Sequence, residues 1–202
     1  MRLARLRSIS VVAMFAMLLQ SAVFANVCPN SGVKENCSLE HGQSLPVLDI
    51  QVGGEISVSD NRMVKKPWSS KSFETKGKVQ LVQYVAANRG ATRQNKPFTD
   101  AVLEKKFPSE KVEATVIVNM ADTVSFAKGY VANRLVKNKI KHQAVNFVID
   151  DQGVGLQRWG MKHESFAIIV LDASGKVLFA KDGPLSETEI ENTIKLIESQ
   201  IT

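Results

Sequence analysis

Apolar residues along the chain recur at two periods, and the switches between them mark out the elements. Leu48, Ile50 and Val52 alternate with polar neighbours, and Ile56 and Val58 resume the alternation after Gly53-Gly54. That pattern predicts a β-hairpin turning at the two glycines. Residues 61–75 break the alternation and read as a loop carrying Lys65, Lys66, Pro67 and Trp68. Residues 78–86 (KVQLVQYVA) are so dense in β-formers that they predict a central strand. A helical stretch follows to about Phe107, with Phe98, Ala101, Val102 and Leu103 on its apolar face. Residues 112–119 (VEATVIVN) predict a second buried strand. In 123–139, Phe126, Tyr130, Val131 and Leu135 recur at helical spacing, opposite a solvated basic side of Lys128, Arg134 and Lys137.

The second half is punctuated more sharply. Residues 145–149 predict a short strand ending in Asp150-Asp151-Gln152-Gly153, a turn signature. Two apolar runs, FAIIVL and VLFA, flank Asp172-Ala173-Ser174-Gly175 and predict a hairpin. Ser186 followed by Glu189 is a capping box, with Leu185 placed to staple to Ile190. Ile190, Ile194, Ile197 and Ile201 then line one face of a closing helix. The order is hairpin, β, α, β, α, β, hairpin, α, which defines an α/β fold with a mixed central sheet and helices on both faces.

The N-terminus changes the organisation of this plan. Arg2, Arg5 and Arg7 precede an apolar run from Ile9 to Leu19, and Val23-Phe24-Ala25 puts small residues at both positions a signal peptidase reads. The run is shorter than the roughly 20 residues a membrane span requires. Residues 1–25 are therefore expected to be a signal peptide cut after Ala25, which directs the chain to the periplasm and leaves no membrane span. Residues 26–44 form an N-terminal extension, and 45–202 form the domain. Losing three arginines halves the formal charge of +6, so no nucleic-acid footprint remains. The only cysteines, Cys28 and Cys37, are expected to close a local disulfide within the extension.

The stretch from Gly77-Lys78-Val79 through Val82-Gln83-Tyr84-Val85-Ala86 to Arg89-Gly90-Ala91-Thr92 and Pro97 resembles the core of the thioredoxin superfamily, in particular its exported TlpA-like and peroxiredoxin-like branches. Asp172-Ala173-Ser174-Gly175-Lys176-Val177 resembles the hairpin of the same branches. The resemblance implies a thioredoxin-like three-layer fold over roughly 45–202. It places Arg89 and Thr92 where that superfamily carries its two redox cysteines, and Glu164-Ser165 where it carries a cis-proline. Neither arginine nor threonine forms a thiolate, so dithiol exchange and peroxidase chemistry are not expected.

A further resemblance, to the YtfJ family of uncharacterised periplasmic proteins, is carried by Pro67-Trp68-Ser69, Val118-Asn119 with Asp122, Phe147-Val148-Ile149-Asp150, Trp159, Gly175-Lys176-Val177 and Lys181-Asp182-Gly183. The chain departs from that family's pattern at Arg89, which sits one place late, and at Ala121, where the family tends to an aspartate.

The candidate site is the start of the helix after the first central strand. Free backbone amides and Arg89, Gly90, Thr92 and Arg93 there suit an anion or carboxylate. Lys181 and Asp182 form a second-rank candidate. His41, His142 and His163 share no metal-ligand spacing, and no Walker loop or Gly-x-Ser-x-Gly elbow occurs, so neither metal nor cofactor is expected. Asp150 and Asp151 read as turn residues, and Trp68 and Trp159 as packing aromatics. The expected function is a binding or interaction module whose former active-site crevice holds a periplasmic protein, a peptide or a small anion. The alternative is an enzyme of a non-thiol class using Asp182 or His163.

Overall fold

The computed structural model describes residues 39–60 and 62–202. Residues 1–25, expected to be a signal peptide, lie outside the described residues, as do Cys28, Cys37 and most of the extension.

Seven strands form one sheet in the order β2-β1-β5-β4-β3-β6-β7. In its interior β3 (Val79–Ala86) runs parallel to the middle strand β4 (Val112–Asn119) and antiparallel to β6 (Phe166–Leu171). β5 (Asn146–Asp150) extends the parallel part beyond β4, and β7 (Val177–Asp182) closes the other edge. All six residues of β6 are buried, as are seven of eight in β3. That is why β6 reads as a continuous apolar run and β3 as a nearly unbroken one, interrupted by the buried Gln80 and Gln83.

Helices α1 (Arg89–Lys105), α2 (Ser125–Lys141) and α4 (Glu187–Ile201) lie on one face, and the short α3 (Val154–Trp159) covers the other. α1 and α4 bury Phe98 and Ile197 against Leu81, Ile168 and Val170. α2 sends Leu135 against Val118, Phe147 and Ile149. The capping box of α4 forms as expected, with Ser186 and Glu189 each satisfying the other's backbone amide. Among the described residues no helix is long and apolar enough to cross a membrane.

Three expectations are corrected. The first hairpin does not turn at Gly53-Gly54. β1 (Asp49–Ser59) runs through them and reverses near Asp60 to pair with β2 (Arg62–Ser69), which the sequence assigns to a loop. The glycines serve close approach at a break in register: a Cβ on Gly53 would lie 2.3 Å from the Ile149 carbonyl oxygen, and one on Gly54 2.0 Å from that of Lys66. β2 escapes notice because it is an edge strand with lysines on it and almost no buried side chain.

Next, Phe126 and Tyr130 do not join the inner face of α2. They are 90% and 59% exposed: Tyr130 lines an open space between α2 and α1, and Phe126 lies outside it. Finally, α3 replaces a simple turn after Asp150. Six residues give too little periodicity to be seen, although Gly153 and Gly160, both at positive φ, bracket it.

Candidate functional site

β3 and β4 are parallel, so α1 and α2 begin at the same end of the sheet. Asn88 caps α1: its Oδ1 accepts the Ala91 amide at 2.7 Å, and its backbone carbonyl accepts the Thr92 hydroxyl at 2.9 Å. Asn119, buried at the end of β4, accepts the Ala121 amide and donates from Nδ2 to Asp122 Oδ2 at 2.7 Å. Asp122 Oδ2 also accepts the Glu164 amide at 2.9 Å, while its Oδ1 lies 2.7 Å from His163 Nδ1. Asn88 Nδ2 reaches the Glu164 carbonyl at 3.4 Å.

Two carboxylates thus brace the chain where it enters β6. Asp122 holds residues 163 and 164 from one side. Asp182 holds the flanking residues, accepting the Lys162 amide at 2.7 Å and the Ser165 hydroxyl at 2.6 Å. Glu164 adopts a left-handed φ of 54° inside this clamp. Side-chain hydrogen bonds therefore fix a segment that contains no proline.

Between α1 and α2, over β3 and β4, runs an open groove of about 800 Å³. Its floor is Val85, Ala114, Val116 and Val118, and its walls include Leu103 and Val131. Arg89, Thr92 and Arg93 line it from the first turns of α1, Arg134 lines it from α2, and Asp122 stands at its upper end. Among the described residues, Arg89, Arg93 and Arg134 have no carboxylate within ion-pair distance. Asp122 is already committed to His163 and Glu164. In the wall beneath α1, buried Asn95 donates from Nδ2 to Gln83 Oε1 at 2.7 Å.

Of the sequence candidates, the structure brings Arg89, Gly90, Thr92 and Arg93 together at the head of α1. The Thr92 hydroxyl is turned back onto the cap, so the guanidinium groups are the available donors. Lys181 and Asp182 are elsewhere. Lys181 grips both Glu189 oxygens at 2.6 and 2.7 Å, and Asp182 is the brace already described. Asn88, Asn119 and Asp122 are site residues that the candidate set lacks. The signal for two of them was the Asn-x-x-Asp spacing directly after a buried strand.

On the opposite face of the sheet, Asp150 is fully buried and far more than a turn residue. It accepts the Tyr84 hydroxyl at 2.9 Å and the amides of Val154 and Gly155 at 3.0 and 2.8 Å, so it caps α3. Burial, and then the Asp150 charge, push the Tyr84 hydroxyl far above its ordinary range, so this tyrosine stays protonated. Asp151 instead pairs with Lys65 at 3.2 Å.

This sheet order, with helices on both faces and a helix that starts at the end of the central strand, is the thioredoxin-like architecture. A putative thiol:disulfide interchange protein DsbE from Chlorobium tepidum superposes with a TM-score of 0.54 at 17% identity, over 82% of this chain and 100% of that one. The chain belongs to the YtfJ family: the family described as bacterial protein of unknown function (YtfJ_HI0045) matches residues 39–200. An uncharacterized protein of Haemophilus influenzae is 33% identical over 183 residues, 89% of this chain and 97% of that protein. Uncharacterized protein YtfJ of Escherichia coli (strain K12) is 31% identical over 159 residues, 79% of this chain and 85% of that protein.

Proposed function

We propose that this chain is an exported, redox-inactive binding protein whose former active-site crevice takes a small carboxylate or the end of a peptide beside Arg89. One observation carries the reading: an open groove ends at the head of α1, where two guanidinium groups have no carboxylate partner. The thioredoxin-like fold supplies the helix end, and Arg89 and Thr92 stand where dithiol chemistry would need sulfur. A charge-assisted contact to a guanidinium contributes about 1.5–3 kcal/mol. That is enough to discriminate a ligand and too little to hold it alone.

The test is titration of the purified protein with small anions and short peptides, alongside the Arg89→Ala variant. Binding by the parent that falls at least tenfold in the folded variant supports the reading. A variant that keeps every ligand overturns it. Insulin-type disulfide reduction and peroxide turnover should be absent, and turnover that survives Cys28→Ser with Cys37→Ser would refute redox inactivity. Export is checked by the intact mass of periplasmic protein, which should begin at Asn26.

A second reading, a non-thiol enzyme, has one observation in its favour. Asp122 holds His163 by Nδ1 and leaves the other ring nitrogen on a side chain that is 77% exposed, as a general base would be held. No serine, threonine or cysteine hydrogen-bonds that ring among the described residues, so this reading names no side-chain nucleophile. Loss of a measured hydrolase activity in His163→Ala, with binding intact, would favour it.

A further inference from the structure

The groove is longer and more apolar than a small carboxylate needs. β3 and β4 are paired on both sides, yet Val85, Ala114 and Val116 on their helix-covered face are only half-buried. Those positions are normally sealed by a helix. Here α1 and α2 stand apart, and Leu103 and Tyr130 on the facing walls are 48% and 59% exposed. From Arg89 to Leu103 the lined wall runs about 21 Å along α1, and the volume of about 800 Å³ lies within the range of small-molecule sites.

Charge is distributed unevenly along this apolar surface. Arg89 and Arg93 sit at the upper end with Arg134 on the facing wall, none with a carboxylate partner among the described residues, whereas Lys96 is paired with Asp100 on its own helix. The one acid lining the groove, Asp122, has both oxygens occupied. A long apolar trough with unpaired guanidinium groups at its head is complementary to a molecule with an anionic head and an apolar tail.

We infer that the groove binds a medium- or long-chain acyl carboxylate, with its head on Arg89 and Arg93 and its chain over Val85, Val116 and Leu103. This rests on the proposed anion site and specifies its ligand. Burying a chain has a signature that a point contact lacks: each added methylene should tighten binding about fourfold until the groove is full.

The experiment is calorimetric or fluorescence-displacement titration of the purified protein with acetate, octanoate, decanoate and laurate, all kept monomeric. Methyl laurate serves as the uncharged control. Affinity should climb along the acid series, and methyl laurate should bind at least about tenfold more weakly than laurate. Val116→Trp should fill the floor and abolish laurate binding. Leu103→Glu, at an exposed position, should weaken it at least tenfold, because a carboxylate replaces an apolar contact of the chain and would have to be desolvated beside it. Acetate binding that depends on Arg89 with no rise along the series overturns the acyl assignment and leaves the anion site standing. Absence of binding by every acid overturns both. Laurate binding unchanged in Leu103→Glu places the chain elsewhere and also refutes the assignment.

Discussion

The two faces of the sheet are built from similar residues and finished differently. On the α3 face, Trp159 is fully buried, stacks edge-on against Tyr84 at 6.1 Å between ring centroids, and donates its indole N–H to the Pro46 carbonyl at 2.8 Å. Trp68 packs edge-on against Phe73 at 5.5 Å, and the buried polar groups around Asp150 satisfy one another. On the α1–α2 face, valines of the two central strands stay half-covered, and three arginines have no carboxylate partner among the described residues. Shortage of apolar residues does not explain the opening, because Phe126, Tyr130 and Leu103 are available and remain exposed. The sealed face carries the stability that lets the other be left open, as expected where a site sits on a rigid scaffold.

The most damaging substitution should therefore lie on the sealed face. Trp159→Ala removes the largest fully buried side chain and should cost about 3–5 kcal/mol, read as a lowered denaturant midpoint. A loss below 1 kcal/mol would mean that α3 is not integral to the core.

Asp150→Asn tests the polar half of that face. The carboxylate has one acceptor site for each of three donors, and the amide replaces an acceptor with a donor. The expected loss is about 1–3 kcal/mol, with α3 amides exchanging faster in hydrogen-exchange measurements. Unchanged exchange in α3 would remove Asp150 as its cap.

Glu189 gives a smaller effect with a pH signature. The Lys181 ammonium, followed by the Ser186 amide, holds its carboxyl below the usual glutamate range. A depressed value in the folded state contributes stability above the unfolded value, and that contribution is lost as pH falls through the folded one. Glu189→Gln keeps an oxygen for the Ser186 amide but removes the charge that Lys181 grips, and should cost about 0.2–1 kcal/mol at neutral pH. The gap between parent and variant should close as the solution is acidified below the ordinary glutamate pKa. A gap independent of pH would show that the contact is packing rather than charge.

How much of this was legible follows from the same contrast. The central strands, the β6–β7 hairpin and the capping box of α4 announce themselves because burial on both sides, or a fixed cap spacing, leaves a pattern in a short window. The candidate residues at the head of α1 could be placed because Gly77-Lys78-Val79 and Pro97 bracket them. β2 was invisible because an exposed edge strand has no face to alternate. The Asp122–His163–Glu164 brace was invisible because it joins residues about 40 positions apart, and no local periodicity encodes such a meeting. The groove could not be read at all. Val116 reads like any other core valine, and only the distance between two helices leaves it uncovered.

The smallest expected effect is the one that decides whether the open face exists for a ligand. Arg89 is exposed at the first position of α1, where its positive charge is set against the positive end of the helix dipole, and it makes no ion pair among the described residues. A residue kept there for folding should cost stability when removed. One kept for a ligand should not. Arg89→Ala is therefore expected to change stability by no more than about 0.5 kcal/mol in either direction, and the loss of an unfavourable dipole contact makes a slight gain as acceptable as a slight loss. Thermal unfolding of parent and variant in low salt, where the dipole term is largest, gives the measurement. A destabilisation above about 1 kcal/mol would mean that the guanidinium supports the fold. The difference between the two faces would then reflect packing alone, and the unpaired arginines would no longer point to a ligand.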